Sequence, residues 1–214
     1  MTASDIFLHF VLPGITFGLA AAAQPGPLLL FLISRTMESG WKKALPAIFA
    51  PLISDGPIAL LCLLILGNLP PDFLQYIRLL GGIFILYLAC QAAWAWRKQG
   101  IDAMSPTTSS KRTLYEATVV NFLNPGPYLG WSLVIGPLFL EGWETAPFAG
   151  IWLLICFYGM MFLVTAVILF FFDFARERGK KVQHLLAGLS ALFLAIYAVY
   201  QLVTGLLGLL SPHA

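Results

Sequence analysis

The sequence predicts an all-α polytopic membrane protein, with six transmembrane helices arranged as an inverted 3+3 repeat. Three observations predict it. Of 214 residues, 59% are hydrophobic and 10% charged, with a mean hydropathy of +0.86, whereas a soluble domain carries roughly a quarter charged residues. Six apolar segments each reach the ~20 residues needed to cross the hydrocarbon as helix, the structure that satisfies its own backbone hydrogen bonds in lipid. Finally, Gln24-Pro25-Gly26-Pro27 recurs as Asn124-Pro125-Gly126-Pro127, half a chain away. The copies lie in the first and fourth segments, an offset of three, so the second half enters the membrane in the opposite sense. Residues 1–214 then form one transmembrane domain, with repeat halves at approximately 1–100 and 101–214.

The first segment runs from Pro13 to Ile33, preceded by residues 1–12 as an interfacial lead-in. A cleaved signal does not fit, because Asp5 stands where such signals carry Lys or Arg and the apolar run continues past Ala21, Ala22 and Ala23. The Gln24-Pro25-Gly26-Pro27 motif falls inside this segment. Two prolines withhold backbone donors, so the helix is expected to break there.

The second segment, Ala44 to Gly67, places Asp55 close to its centre, flanked by Pro51, Gly56 and Pro57. An ionised carboxylate at mid-bilayer costs about 2.5–3.5 kcal/mol on insertion scales, which makes it a functional candidate by default. It is suited to carrying a proton or pairing with an ammonium group; the structural alternative is a partner for a helix end or for Arg78. The third segment, Phe73 to Trp96, contains Arg78, whose long side chain can snorkel toward the nearer surface, together with Tyr87 and Gln91.

The fourth segment, Leu114 to Leu140, carries the second motif. Thr118, Asn121, Pro125, Tyr128 and Ser132 recur at spacings of three or four and share one face, with Asn124 beside them. The fifth segment runs from Pro147 to Phe172. The sixth, His184 to Leu210, carries Ser190, Tyr197, Gln201 and Thr204. Such polar stripes line a wet path or bind helices to one another. Gly205 and Gly208 mark close helix contacts, which leave a homo-oligomer open.

Orientation follows from the loops. Arg35, Lys42, Lys43, Arg97, Lys98, Lys111, Arg112, Arg176, Arg178, Lys180 and Lys181, eleven of the 12 basic residues, fall on one side. The opposite side holds Asp72, Glu141 and Glu144, with Arg78 nearby. An excess of Lys and Arg marks the cytoplasmic face, so both termini point away from the cytoplasm. The stretch Arg97 to Thr113, with its Ser105-Pro106-Thr107-Thr108-Ser109-Ser110 run, reads as a cytoplasmic link. Glu116, Glu141, Glu144, Asp173 and Asp5 are placed at the interfaces, where water reaches them. The six tryptophans are assigned mostly to the aromatic belts.

Several classes are disfavoured. A net charge of +2 provides no dense basic face for nucleic acid. His9, His184 and His213 lie near segment ends or the chain terminus, so no metal-ligand cluster forms, and no cofactor is indicated. Cys62, Cys90 and Cys156 read as packing residues. An intramembrane enzyme needs a nucleophile and base at shared depth; Ser190 and His184, six residues apart, point to different faces.

Taken together, these residues resemble the lysine exporter family of amino-acid exporters, which includes the homoserine and threonine exporters. Pro25-Gly26-Pro27 is similar to the family's first-helix signature, and Ser34-Arg35 through Gly40 to Lys42-Lys43 to its basic cytoplasmic turn. Asp55 resembles its second-helix aspartate, Leu80-Gly81-Gly82 through Leu86-Tyr87-Leu88 its third-helix pattern, and Asn121-Phe122-Leu123-Asn124-Pro125 its fourth-helix Asn-x-x-Asn-Pro. Two departures stand out: Ser54 precedes the aspartate where the family often has Gly, and Gly126-Pro127 follows where many members have a lysine.

The resemblance implies a multi-pass inner-membrane protein exporting an amino acid or related small amine in exchange for protons. The expected substrate site comprises Gln24, Pro25, Gly26, Pro27, Asp55, Asn121, Asn124, Pro125, Gly126 and Tyr128, with Asp55 also coupling protons. Alternatives are an exporter of metal or other small cations and a membrane assembly protein that transports nothing.

Overall fold

The computed structural model describes residues 2–64, 73–98, 109–146, 148–178 and 180–210, and the regular structure among them is helical throughout, with no strand. Helix α1 (Ala3–Ile6) passes through a π-turn (Phe7–Val11) into α2 (Leu12–Ala23). The expected interfacial lead-in is therefore corrected. Ser4–Ala23 is one apolar stretch of 20 residues, long enough to cross a membrane, because Phe7, Leu8, Phe10 and Val11 extend the apolar character upstream. After a break come α3 (Pro27–Ser39), α4 (Trp41–Ala44), a 3-10 turn (Leu45–Phe49) and α5 (Ala50–Leu64). Then follow α6 (Phe73–Lys98) and α7 (Ser110–Phe122). The fourth expected segment is split into α7, α8 (Pro125–Gly130), a π-turn (Trp131–Ile135) and α9 (Gly136–Thr145). Helices α10 (Ala149–Glu177) and α11 (Lys180–Leu210) complete the chain.

Four stretches are long and apolar enough to cross a membrane: Ser4–Ala23, Trp41–Leu64, Ala149–Glu177 and Ala187–Leu210; Arg78–Trp94 is a shorter apolar helix. Their outer faces carry apolar side chains, such as Leu60, Leu64, Ile83, Leu163 and Phe171, each more than half exposed, which in a lipid solvent is the stable arrangement. Cys90 is on that outer surface and Cys62 is buried. Residues 65–72, with Asp72, and residues 99–108, with most of the expected cytoplasmic link, lie outside the described residues, as does Pro147.

The N-terminal helices run parallel to α10. Phe10 packs with Ala149 and Leu153, Gly14 faces the Leu153 carbonyl and Cys156, Gly18 faces Phe157, and Gly40 lies beside Asp173 and Arg176. A Cβ on Gly14 would lie 2.6 Å from the Leu153 oxygen, so these helices touch backbone to backbone. The break after Ala23 consequently falls level with the middle of α10.

Helices α6 and α11 form a second close pair. Gly205 meets Arg78 and Leu79, and Gly208 meets Gln75. These two glycines, expected as general contact points, are spent on an intrachain contact. The main core joins Phe31, Leu32 and Met37 of α3 to Ile85, Leu88, Val120, Leu169 and Leu194.

Candidate functional site

The two Pro-Gly-Pro motifs act through the same local rule, with different results. A proline crowds the preceding residue out of the helical region and into extended backbone. In the first copy Pro25 holds Gln24 at φ −65°, ψ 123°, and Pro27 holds Gly26 at φ −110°, ψ 175°. Pro27 then starts α3, a position where its missing N–H costs nothing. Neither proline offers a donor, and the Gly26 N–H turns back to the Gln24 carbonyl at 2.7 Å. The carbonyls of Ala21, Ala22 and Ala23 are therefore left without intrahelical donors.

In the second copy Pro125 holds Asn124 at φ −93°, ψ 126° and itself begins α8, so Gly126 and Pro127 are helical. Here the loose ends are tied. The Asn124 side-chain oxygen accepts from the Gly126 N–H at 3.1 Å, and the Tyr128 hydroxyl donates to the Phe122 carbonyl at 2.9 Å. Gly81 of α6 lets that helix pack directly against the Leu123 carbonyl.

Between the breaks is a cavity of about 410 Å³. Gln24, Gly26 and Pro27 line it from the first break and Asn121, Asn124, Pro125 and Gly126 from the second, while Asp55 projects from α5. Asp55 is 5% exposed and its carboxylate is held from two sides. The Asn121 amide donates to Oδ1 at 2.9 Å and, with the same nitrogen, to Ser54 Oγ at 2.7 Å; the Tyr158 hydroxyl donates to Oδ2 at 2.9 Å. Trp131 also reaches it. Among the described residues no cation pairs with Asp55, so the alternative of an ion pair with Arg78 is not realised. Hydrogen bonds to a charged acceptor are the strong kind, about 1.5–3 kcal/mol each.

Of the expected site residues, two lie away from the cavity wall. Pro25 is exposed beside it. Tyr128 is 1% exposed and belongs to an apolar cluster with Ala22, Ile58, Cys62 and Trp131. The helix-face spacing that placed Tyr128 with Asn121 assumes one continuous helix, and the break at Asn124 removes that register. Conversely, Tyr158, Trp131, Arg78, Tyr197 and Gln201 bear on the site without having been assigned to it. Trp131 lines the cavity and is 6% exposed, so it does not serve as a belt residue. No spacing signal singles out Tyr158, one aromatic in a long apolar helix.

A second polar cluster lies on the basic face. Arg35 pairs with Glu38 at 2.6 Å and with Glu116 at 2.7 Å, and Arg112 joins Glu116 at 2.8 Å. Glu116 is 7% and Asp173 6% exposed, which corrects their placement at a wet interface. Glu116 is enclosed because α3 and α7 bring it against Arg35; Asp173 is enclosed because it pairs with Arg176 and accepts from the Trp41 N–H at the start of α4. The Arg35–Glu116 pair joins α3 to α7, and the Trp41 N–H bond to Asp173 joins α4 to α10, all outside the cavity lining.

The family model described as LysE type translocator matches residues 19–205. No curated protein and no solved structure matches the chain.

Proposed function

The chain belongs to the LysE type translocator family, a family of membrane transporters, and from that premise we propose that it exports an amino acid or related small amine across the inner membrane in exchange for protons. The observation that carries this reading is the cavity between the two helix breaks, with one buried, hydrogen-bonded and unpaired carboxylate in its wall. A cavity of this size suits a small solute, since ligand pockets run about 300–1,000 Å³.

In this reading six segments span the membrane. The first comprises α1 to α3 and the fourth α7 to α9, each broken at its Pro-Gly-Pro; α4–α5, α6, α10 and α11 supply the others. The two halves are inverted repeats, and both termini lie outside the cytoplasm, since the basic residues cluster at the opposite ends of the helices. The solute ammonium binds at Asp55, and backbone carbonyls freed in the first break, with Gln24, Asn121 and Asn124, supply further polar contacts. When the ammonium leaves, Asp55 takes up a proton in its place. Rocking of one half against the other exposes the site to each face in turn, so that solute and proton cross in opposite directions.

The test is uptake of a pool of labelled amino acids into proteoliposomes of the purified protein under an imposed pH gradient, with Asp55→Asn in parallel. A small set of amino acids that moves, is accelerated by the gradient, and loses that acceleration in Asp55→Asn is the expected result. Absence of movement in the native protein would overturn the proposal.

A further inference from the structure

We infer that Arg78 and Gln201 form a second polar end of the cavity that binds the solute carboxylate, making the site one for zwitterionic α-amino acids with uncharged side chains. This rests on the amino-acid export reading above. Arg78 and Gln201 both line the cavity, on the wall built by α6 and α11, whereas Asp55 is held by α5, α7 and α10. The close approach at Gly205, where an added Cβ would lie 3.2 Å from the Arg78 Cβ, fixes Arg78 against α11 on the same side of the helix pair as Gln201.

Gln201 presents a donor without an acceptor, and Arg78 presents more donors than its one long contact uses. Gln201 is 1% exposed, yet its side-chain nitrogen has no hydrogen-bond partner. A buried polar atom is normally satisfied, and a native exception calls for a missing group. Arg78 has no carboxylate partner among the described residues, and its recorded hydrogen bond is a long one, 3.5 Å from Nη1 to Gln75 Oε1. A guanidinium carries five donors and no acceptor. A carboxylate, with about four lone-pair positions, satisfies a guanidinium fork and an amide N–H together.

The charge count of the lining then sets the class. Asp55 and Arg78 are its one acid and one base among the described residues; the remainder includes Phe17, Leu28, Leu129, Val134, Phe157 and Met161. An α-ammonium on Asp55 and an α-carboxylate on Arg78 use both charges. A basic side chain would bring in a second cation with no counter-charge in the lining, and an acidic one a second anion, each costly to bury unpaired.

The experiment uses counterflow in proteoliposomes of the full chain. The twenty amino acids compete against each neutral one that moves, and that amino acid is compared with its decarboxylated amine, leucine with 3-methylbutylamine for example. In the native protein the neutral amino acid is expected to half-saturate at a concentration about tenfold or more below its amine and below lysine or glutamate. Arg78→Gln should raise half-saturation for the amino acid about tenfold or more and leave the amine within about twofold, with Arg78→Lys recovering part of the loss. Gln201→Leu should act in the same direction more weakly. Equal loss for amino acid and amine in Arg78→Gln, or lysine moving as well as leucine in the native protein, would overturn the inference. Should Arg78→Gln fail to assemble, Arg78→Lys and the native preference for acid over amine decide it, a preference under about threefold counting against. If no amino acid moves at all, the export reading itself has failed.

Discussion

Removing one oxygen atom tests the Asp55 cluster. Tyr158→Phe deletes the hydroxyl that donates to Asp55 Oδ2 at 2.9 Å and leaves the ring against Phe157 and Phe162, its neighbours at centroid distances of 5.0 and 5.8 Å. A hydrogen bond to a charged acceptor contributes about 1.5–3 kcal/mol. For a chain of this length each kcal/mol corresponds to about 2–4 °C in Tm, so the variant should melt about 3–12 °C lower in detergent. The control is the same change in an Asp55→Ala background, where the hydroxyl has lost its acceptor and its deletion should cost less than about 1 °C. The difference between backgrounds isolates the contact. An equal drop in both would refute the view that Tyr158 works through Asp55, and would reduce it to a packing residue.

The breaks and the ion network give further expectations. Replacing Pro25 and Pro27 together by alanine restores donors to the Ala21 and Ala23 carbonyls and removes the penalty, up to about 3 kcal/mol per proline, that opposes a continuous helix through the break; counterflow should fall about tenfold or more while Tm holds or rises. Glu116→Gln leaves Arg35 with Glu38 as its one paired carboxylate at a buried position. It should destabilise by about 1.5–3 kcal/mol, read as a lower Tm, because Arg35 loses one charge-assisted hydrogen bond but keeps its pairing with Glu38.

The parts of the fold most legible in the sequence were those fixed by neighbours in the chain. Pro25, Pro27 and Pro125 dictate the conformation of the residue before each, so both breaks can be read from short motifs. Asp55 stood out because a carboxylate in an apolar run has few explanations. What depends on distant contacts was hidden. Glu116 looks like a surface acid until Arg35, 81 residues away, is brought beside it, and Tyr158 acquires meaning from a carboxylate 103 residues upstream. Tyr128 was placed with Asn121 by a periodicity that its own proline neighbour, Pro125, interrupts. The helix before Pro13 was missed because Asp5 and His9 mask an apolar stretch that continues through them.

The unequal construction of the two breaks has a mechanical consequence. At Asn124 the chain is latched by its own side chain, by the Tyr128 hydroxyl and by the flat face that Gly81 presents to Leu123. At Gln24–Gly26 nothing comparable clasps the backbone; Gly26 has open space around it apart from the Gln24 oxygen, and α3 begins without a side-chain cap. Two joints of unequal stiffness in series do not share a bend equally: the softer one takes most of it. Any tilt of α2 against α3 is therefore concentrated in three residues, while the Asn121–Asp55 contact, anchored beside the stiffer joint, keeps its geometry through the movement.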